Sequence, residues 1–141
     1  MSSADWTSKF REKNRKIKEE IKAKKIAEME HIVSIICHIT GLTLADLRRK
    51  LRKQNYVEAR YVSVYMIRKY VQEWPDNKGK VPLTRIGAYL NRDHTTIIHG
   101  LEEIEYMIET KNKPYMDLIN KFEQHYSEFL KEKNTEPALN N

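Results

Sequence analysis

Residues 83–100 read "LTRIGAYLNRDHTTIIHG": a short apolar-periodic segment, a break at Leu90 to Arg92, and a second apolar run entered through Asp93, His94, Thr95 and Thr96. Leu83, Ile86 and Leu90 recur at helical spacing, and so do Ile97, Leu101, Ile104 and Ile108. Two helices joined by so tight a turn predict a helix-turn-helix, whose second helix enters a major groove by its N-terminal residues. Three readings of the polar cluster compete: a catalytic or metal site, a helix N-cap with no further role, and the reading head of a nucleic-acid-binding helix.

The side chains suit the third reading. Asp accepts from the cytosine amino group, His donates to a purine or carbonyl acceptor, and Thr offers both a hydroxyl and a methyl for thymine. Arg92 and the free N–H groups of a helix start favour phosphate. Asp93 beside DNA needs a donor partner or a capping role. A zinc site is not indicated, because His94 and His99 fall on different helix faces and no Cys, Asp or Glu is spaced to complete a tetrahedral set. His99, near Leu101, is expected to be a half-buried core histidine. A nucleophile is not indicated either: Thr95 and Thr96 adjoin His94, but consecutive helical residues diverge by ~100°. No "GxxxxGK" occurs, and the glycines stand isolated at 41, 79, 87 and 100. The sequence therefore predicts no enzyme, metal, cofactor or nucleotide.

The rest of the 141-residue chain supports an all-α domain. Charged residues are 33% and hydrophobic ones 40%, with a net charge of +6 that is unevenly placed. Arg48, Arg49, Lys50, Arg52, Lys53 and Arg60 face a single nearby acid, Glu58, whereas Glu102, Glu103, Glu105 and Glu109 stand without a Lys or Arg among them. A polyanion would be drawn to one end and repelled by the other. The basic run can neutralise phosphates or place an arginine in a narrow minor groove, or it can be a solvated helix face. Cys37, the single cysteine, lies in "IVSIICHI" and reads as a buried thiol in a reducing cytosol. No apolar run approaches the ~18 residues needed for a membrane span.

Residues 5–39 read as unbroken helix. Its first part carries Trp6, Phe10, Ile17 and Ile21 at helical spacings, but Lys13 and Lys24 interrupt the stripe, so a solvated arm and a dimerising helix both remain open. Gly41 ends that helix. "LTLADLRRKL" starts another, with Thr43 as N-cap and Leu44, Leu47 and Leu51 on one face. A polar break, "RKQNYVEA", precedes a central core helix from Tyr61 to Trp74. "WPDNKGK" is a surface loop, Pro82 lies in the first turn of the next helix, and Pro114 opens a last helix bearing Tyr115, Leu118, Ile119, Phe122, Tyr126 and Phe129. The expected divisions are a basic helical extension over 1–28, a helix-turn-helix domain over 29–131 and a disordered tail over 132–141.

"LTRIGAYLNRDHTTIIHGLEEIE" closely resembles the signature of the C-terminal DNA-binding domain, domain IV, of the bacterial replication initiator DnaA, in which "RDHTTVLHA" is typical. "LTLADLRRKLRKQNYVEARYVSVYMIRKY" resembles that domain's preceding helix, basic loop and central helix. The resemblance runs over roughly residues 30–130 and does not include the family's ATPase domain. It implies recognition of the short DnaA-box duplex. Arg92, Asp93, His94, Thr95 and Thr96 then match the major-groove signature, with Asp93, His94 and Thr95 as base readers. Lys50 and Arg52 match the loop that supplies a minor-groove arginine, within a basic segment of Arg48, Arg49, Lys50, Arg52 and Lys53. Arg60 and Arg68 match backbone-contacting positions. The expected partner is double-stranded DNA, with a homodimer or protein partner through residues 5–28, in a cytoplasmic, nucleoid-associated protein. Leu90 and Asn91 stand where the family has Gly-Gly, and Asn is the better of the two at a left-handed turn. Glu58 stands where a basic residue is common, and "WPDNKGK" makes the link to the helix-turn-helix longer than the family pattern.

Overall fold

A computed structural model describes the backbone of residues 3–139 and the side chains of residues 6–133. It contains α1 (Ser3–Thr40), α2 (Leu44–Arg48), α3 (Gln54–Tyr70), α4 (Leu83–Leu90), α5 (His94–Glu109) and α6 (Lys113–Leu139). Among the described residues the one extended pairing is an isolated bridge between Trp74 and Gly79.

α3 is the axis of the bundle, packed by α1, α2, α5 and α6. Its Ala59, Val62, Val64, Met66 and Ile67 are fully buried, as an apolar segment surrounded by other helices must be. Met29 is the first buried side chain of α1, and from there Ile32, Val33 and Ile36 face the core. N-terminal to it the helix continues without a break, with Trp6, Phe10, Ile17 and Ile21 exposed by 63%, 53%, 45% and 37%. Trp6 and Phe10 stack on one another at 5.5 Å. α6 closes the far side through Tyr115, Leu118, Ile119, Phe122 and Tyr126.

Four sequence expectations shift. α2 ends at Arg48 because Arg49 turns extended, so Leu51, expected on the buried leucine face, is 41% exposed. α3 begins at Gln54, inside the stretch read as a polar break. No Gly or Pro interrupts 54–61, and Ala59 and Arg60 are both buried there, so tertiary contacts outweigh the polar composition. α3 also stops at Tyr70 rather than Trp74. Glu73 is left-handed (φ 63°), and Trp74 folds back to Gly79 with its ring 5.9 Å from the Lys22 ammonium and 5.4 Å from the Arg85 guanidinium. Finally, α6 runs past 131 to Leu139, where a disordered tail was expected. Lys131, Glu132 and Lys133 are good helix formers that extend it; residues 140 and 141 of that tail lie outside the described residues.

Candidate nucleic-acid interface

The turn between α4 and α5 is built locally. Asn91 ends α4 in the left-handed conformation (φ 56°, ψ 46°), as its short polar side chain permits. The Arg92 amide then reaches back to the Gly87 carbonyl at 2.7 Å. That return passes close to α4: a Cβ on Gly87 would lie 2.4 Å from the Arg92 carbonyl oxygen. Asp93 caps α5, its carboxylate accepting from the Thr96 amide at 2.8 Å. This bond holds the Asp93 carboxyl below its ordinary range. The carboxylate thus takes the capping role that the sequence left open for it. His94 and Thr95 are exposed at the helix tip, Thr96 is half-buried, and Ile97 starts the buried face.

The depth at which α5 sits also depends on a small residue. Gly100 faces the Tyr61 ring of α3, where an added Cβ would come within 2.7 Å of a ring carbon. His99 departs from expectation: it is exposed at the rim of the cleft between α5 and α3, 3.9 Å from Glu102, rather than half-buried in the core.

The basic segment is organised differently. Between α2 and α3, residues 49–53 form no helix, and the carbonyls of Arg49 and Leu51 are held by side chains from elsewhere. Arg60 donates to Leu47 O (2.7 Å), Arg49 O (2.7 Å) and Leu51 O (2.8 Å). Burial, with the charge of Arg92 nearby, lowers its pKa from the ordinary guanidinium range. Arg92 donates to the carbonyls of Arg48 (3.3 Å) and Asn91 (2.9 Å), and to that of Arg49. The Asn91 amide also donates to Arg48 O at 3.2 Å. In the other direction, Arg48 bonds Tyr89 O at 2.7 Å with its guanidinium over the Tyr89 ring, and Lys50 bonds Asn91 O at 2.7 Å. The loop and the turn are therefore stapled into one unit. Between them lies a cleft of about 460 Å³ lined by Lys50, Arg52, Arg60, Tyr61, Arg92 and Thr96 among others.

The structure thereby sorts the residues expected to face DNA. Asp93, His94 and Thr95 stand together at the exposed tip of α5; Arg49 and Arg52 are exposed on the neighbouring loop with no hydrogen bond from either guanidinium, and Lys53 lies 5.8 Å over the Tyr56 ring. Arg48 and Lys50 are exposed but tethered to the turn. Arg60 points inward, Arg92 is half-buried, and Arg68 donates to Val81 O at 2.9 Å, bracing the approach to α4. The left-handed turn at Asn91 was expected, whereas Tyr61 and Tyr89 were not anticipated as organisers of this surface, because they act through contacts distant in the chain. Among the described residues no group of three or more His, Cys, Asp or Glu is placed to hold a metal, and no helix is long and apolar enough to cross a membrane.

Residues 29–104 match the family model described as the bacterial DnaA protein helix-turn-helix. Among curated relatives, the chromosomal replication initiator protein DnaA of Flavobacterium psychrophilum is 27% identical over 101 residues, 70% of this chain and 20% of that protein. The same-named protein of Spiroplasma citri is 29% identical over 118 residues, 83% of this chain and 23% of the relative. That of Enterococcus faecalis is 35% identical over 85 residues, 60% of this chain and 17% of the relative. The chain spans about a fifth of the length of the curated relatives it matches.

Proposed function

The chain belongs to the bacterial DnaA helix-turn-helix family, and from that premise we propose that it is a sequence-specific double-stranded DNA-binding protein that recognises DnaA-box-like sites without catalysis. The observation that carries this reading is the stapling of an exposed cationic loop, Arg49 to Lys53, beside an exposed polar helix tip, His94 and Thr95. α5 enters the major groove, where His94 and Thr95 read base edges while Asp93 reads a donor with its second oxygen and keeps the cap with the first. Arg52, with Arg49 and Lys53, enters the adjacent minor groove or its phosphate rim. Thr96 meets a base or phosphate at the entrance of the cleft. Arg60, Arg68 and Arg92 position this surface rather than extend from it, because their donors are already engaged by backbone carbonyls. The role is accessory or regulatory, in replication or transcription, in the cytoplasm at the nucleoid. A phage or mobile element fits that role as a source.

A polarisation titration with a DnaA-box duplex and a scrambled duplex at physiological salt tests the reading. Specific sites are bound ~10³-fold or more tighter than non-specific ones by proteins of this kind. Equal affinity for the two duplexes refutes it.

A second reading, an assembly role through residues 5–28, is favoured by the exposed apolar stripe of Trp6, Phe10, Ile17 and Ile21. It predicts that Trp6→Ser with Phe10→Ser abolishes a dimer or a partner contact and leaves single-site DNA affinity unchanged.

A further inference from the structure

Two surfaces lie outside the DNA-facing unit, and their chemistries are complementary. The first is the outward side of α5 beyond its reading tip. Ile98, Glu102, Glu105, Tyr106 and Glu109 recur at helical spacing and share one face. All are exposed, Ile98 by 37% and Tyr106 by 61%. It is an acidic stripe with an aliphatic and an aromatic side chain in it.

The second is a groove of about 570 Å³ between α1, the end of α3 and α6. Lys24 and Lys133 flank it, and Tyr126, Phe129 and the exposed Leu130 give it an apolar wall. Glu28, also in the lining, is paired with Lys25 at 3.5 Å. His31 contributes a buried Nε2 that has no hydrogen-bond partner, while its ring lies 4.2 Å from that of Phe129. With ammonium groups at its edges and an aromatic wall, the groove suits an amphipathic helix carrying carboxylates and an aromatic side chain.

We propose that the occupant is α5 of a second copy of this chain, its Glu102, Glu105 and Glu109 meeting Lys24 and Lys133, with Tyr106 against the Tyr126–Phe129 wall. Both halves of the contact are on the same polypeptide, so the association is head-to-tail. Such a contact uses a different patch on each copy, so it propagates from copy to copy until its rotation closes a ring. It leaves His94, Thr95 and the basic loop facing DNA, and copies on neighbouring sites reinforce one another. It also draws the acidic half of α5, which repels phosphate, against a cationic surface.

Sedimentation velocity of the full chain without DNA tests this apart from the DNA-binding reading. The wild-type protein is expected to self-associate with rising concentration, ~10-fold or more weakly at high salt than at low salt. A triple variant, Glu102→Lys, Glu105→Lys and Glu109→Lys, and a double variant, Lys24→Glu and Lys133→Glu, are each expected to stay monomeric. An equimolar mixture of the two is expected to associate, because each now offers the other a complementary pair of surfaces. The double variant keeps the single-site DNA affinity of the wild type, and Trp6→Ser with Phe10→Ser leaves this association intact. A wild-type chain monomeric at millimolar concentration and low salt, variants that associate like the wild type, or a mixture that stays monomeric overturns the proposal. Circular dichroism of the variants confirms that the bundle is folded in each case.

Discussion

The loop of residues 49–53 and the turn of residues 91–96 lie side by side, yet they owe their shapes to different physics. The turn is self-contained: Asn91 supplies the left-handed residue, Gly87 the space, and Asp93 the cap. The loop has no regular structure of its own, and side chains from α3 and from the turn hold its carbonyls in place. A segment organised by itself is legible in a few adjacent residues, whereas one organised from outside is not. The loop also fails differently, since removing a single distant side chain releases several backbone groups together.

The largest expected effect comes from Arg60. Arg60→Ala leaves the carbonyls of Leu47 and Leu51 without their side-chain donor and that of Arg49 with Arg92 alone, and is expected to destabilise the protein by about 2–4 kcal/mol in urea unfolding, weakening binding to every duplex. Arg60→Lys sharpens the point, because an ammonium keeps the charge but cannot reproduce the planar fork across these carbonyls. A lysine that restores full affinity would mean that Arg60 acts on DNA by charge and would break the contrast between loop and turn.

Gly87→Ala attacks the turn instead. With backbone rather than a flexible side chain in the way, the turn must open at a cost of about 1–3 kcal/mol, read as a lower thermal midpoint. Box-specific affinity is expected to fall more than scrambled-duplex affinity, since the loop's charge survives.

Two surface changes then separate reading from holding. Thr95→Ala is expected to lose ~1–3 kcal/mol of box-over-scrambled discrimination with unchanged stability. Arg52→Ala is expected to weaken both duplexes and reduce the slope of log affinity against log salt by about one. A matched loss of specificity in both variants would erase the division of labour.

The smallest effect is in acid. Hydrogen bonding depresses the folded Asp93 pKa, so the cap's contribution is present above the unfolded carboxylate pKa and lost as pH falls through the lower folded value. The protection factor of the Thr96 amide against hydrogen exchange should fall there, while the Arg60 guanidinium N–H groups, bonded to carbonyls that do not titrate in this range, stay protected. Simultaneous loss of protection at both would show that the turn also supports the loop's order.

The same contrast explains which parts were readable. The short helix, the left-handed Asn91, the capped α5 and the apolar faces of α1 and α6 follow from spacings within a few residues. Arg60 looked like one more cation in a basic run because its three acceptors are carbonyls at the end of α2 and in the irregular segment after it, and carbonyl directions leave no trace in composition. The early start of α3 was obscured for a related reason: Gln54, Asn55 and Glu58 are polar, and only the packing of Ala59 and the inward reach of Arg60 commit that turn to the bundle. His99 was misplaced by its apolar neighbours in sequence, when the helical face it occupies points to solvent. The distinction between Arg52, free to reach outward, and Arg92, drawn inward, needed the fold.

The central claim is that the turn and the loop read two grooves of one duplex as a single stapled unit. Methylation interference on a DnaA-box duplex tests it most directly, because the reagent modifies guanine N7 in the major groove and adenine N3 in the minor groove. The account predicts two blocks of interference, N7 positions facing α5 and N3 positions in the adjoining minor groove, with Arg52→Ala removing only the second and Arg60→Ala weakening both. Interference confined to one groove, or none in either, would contradict it.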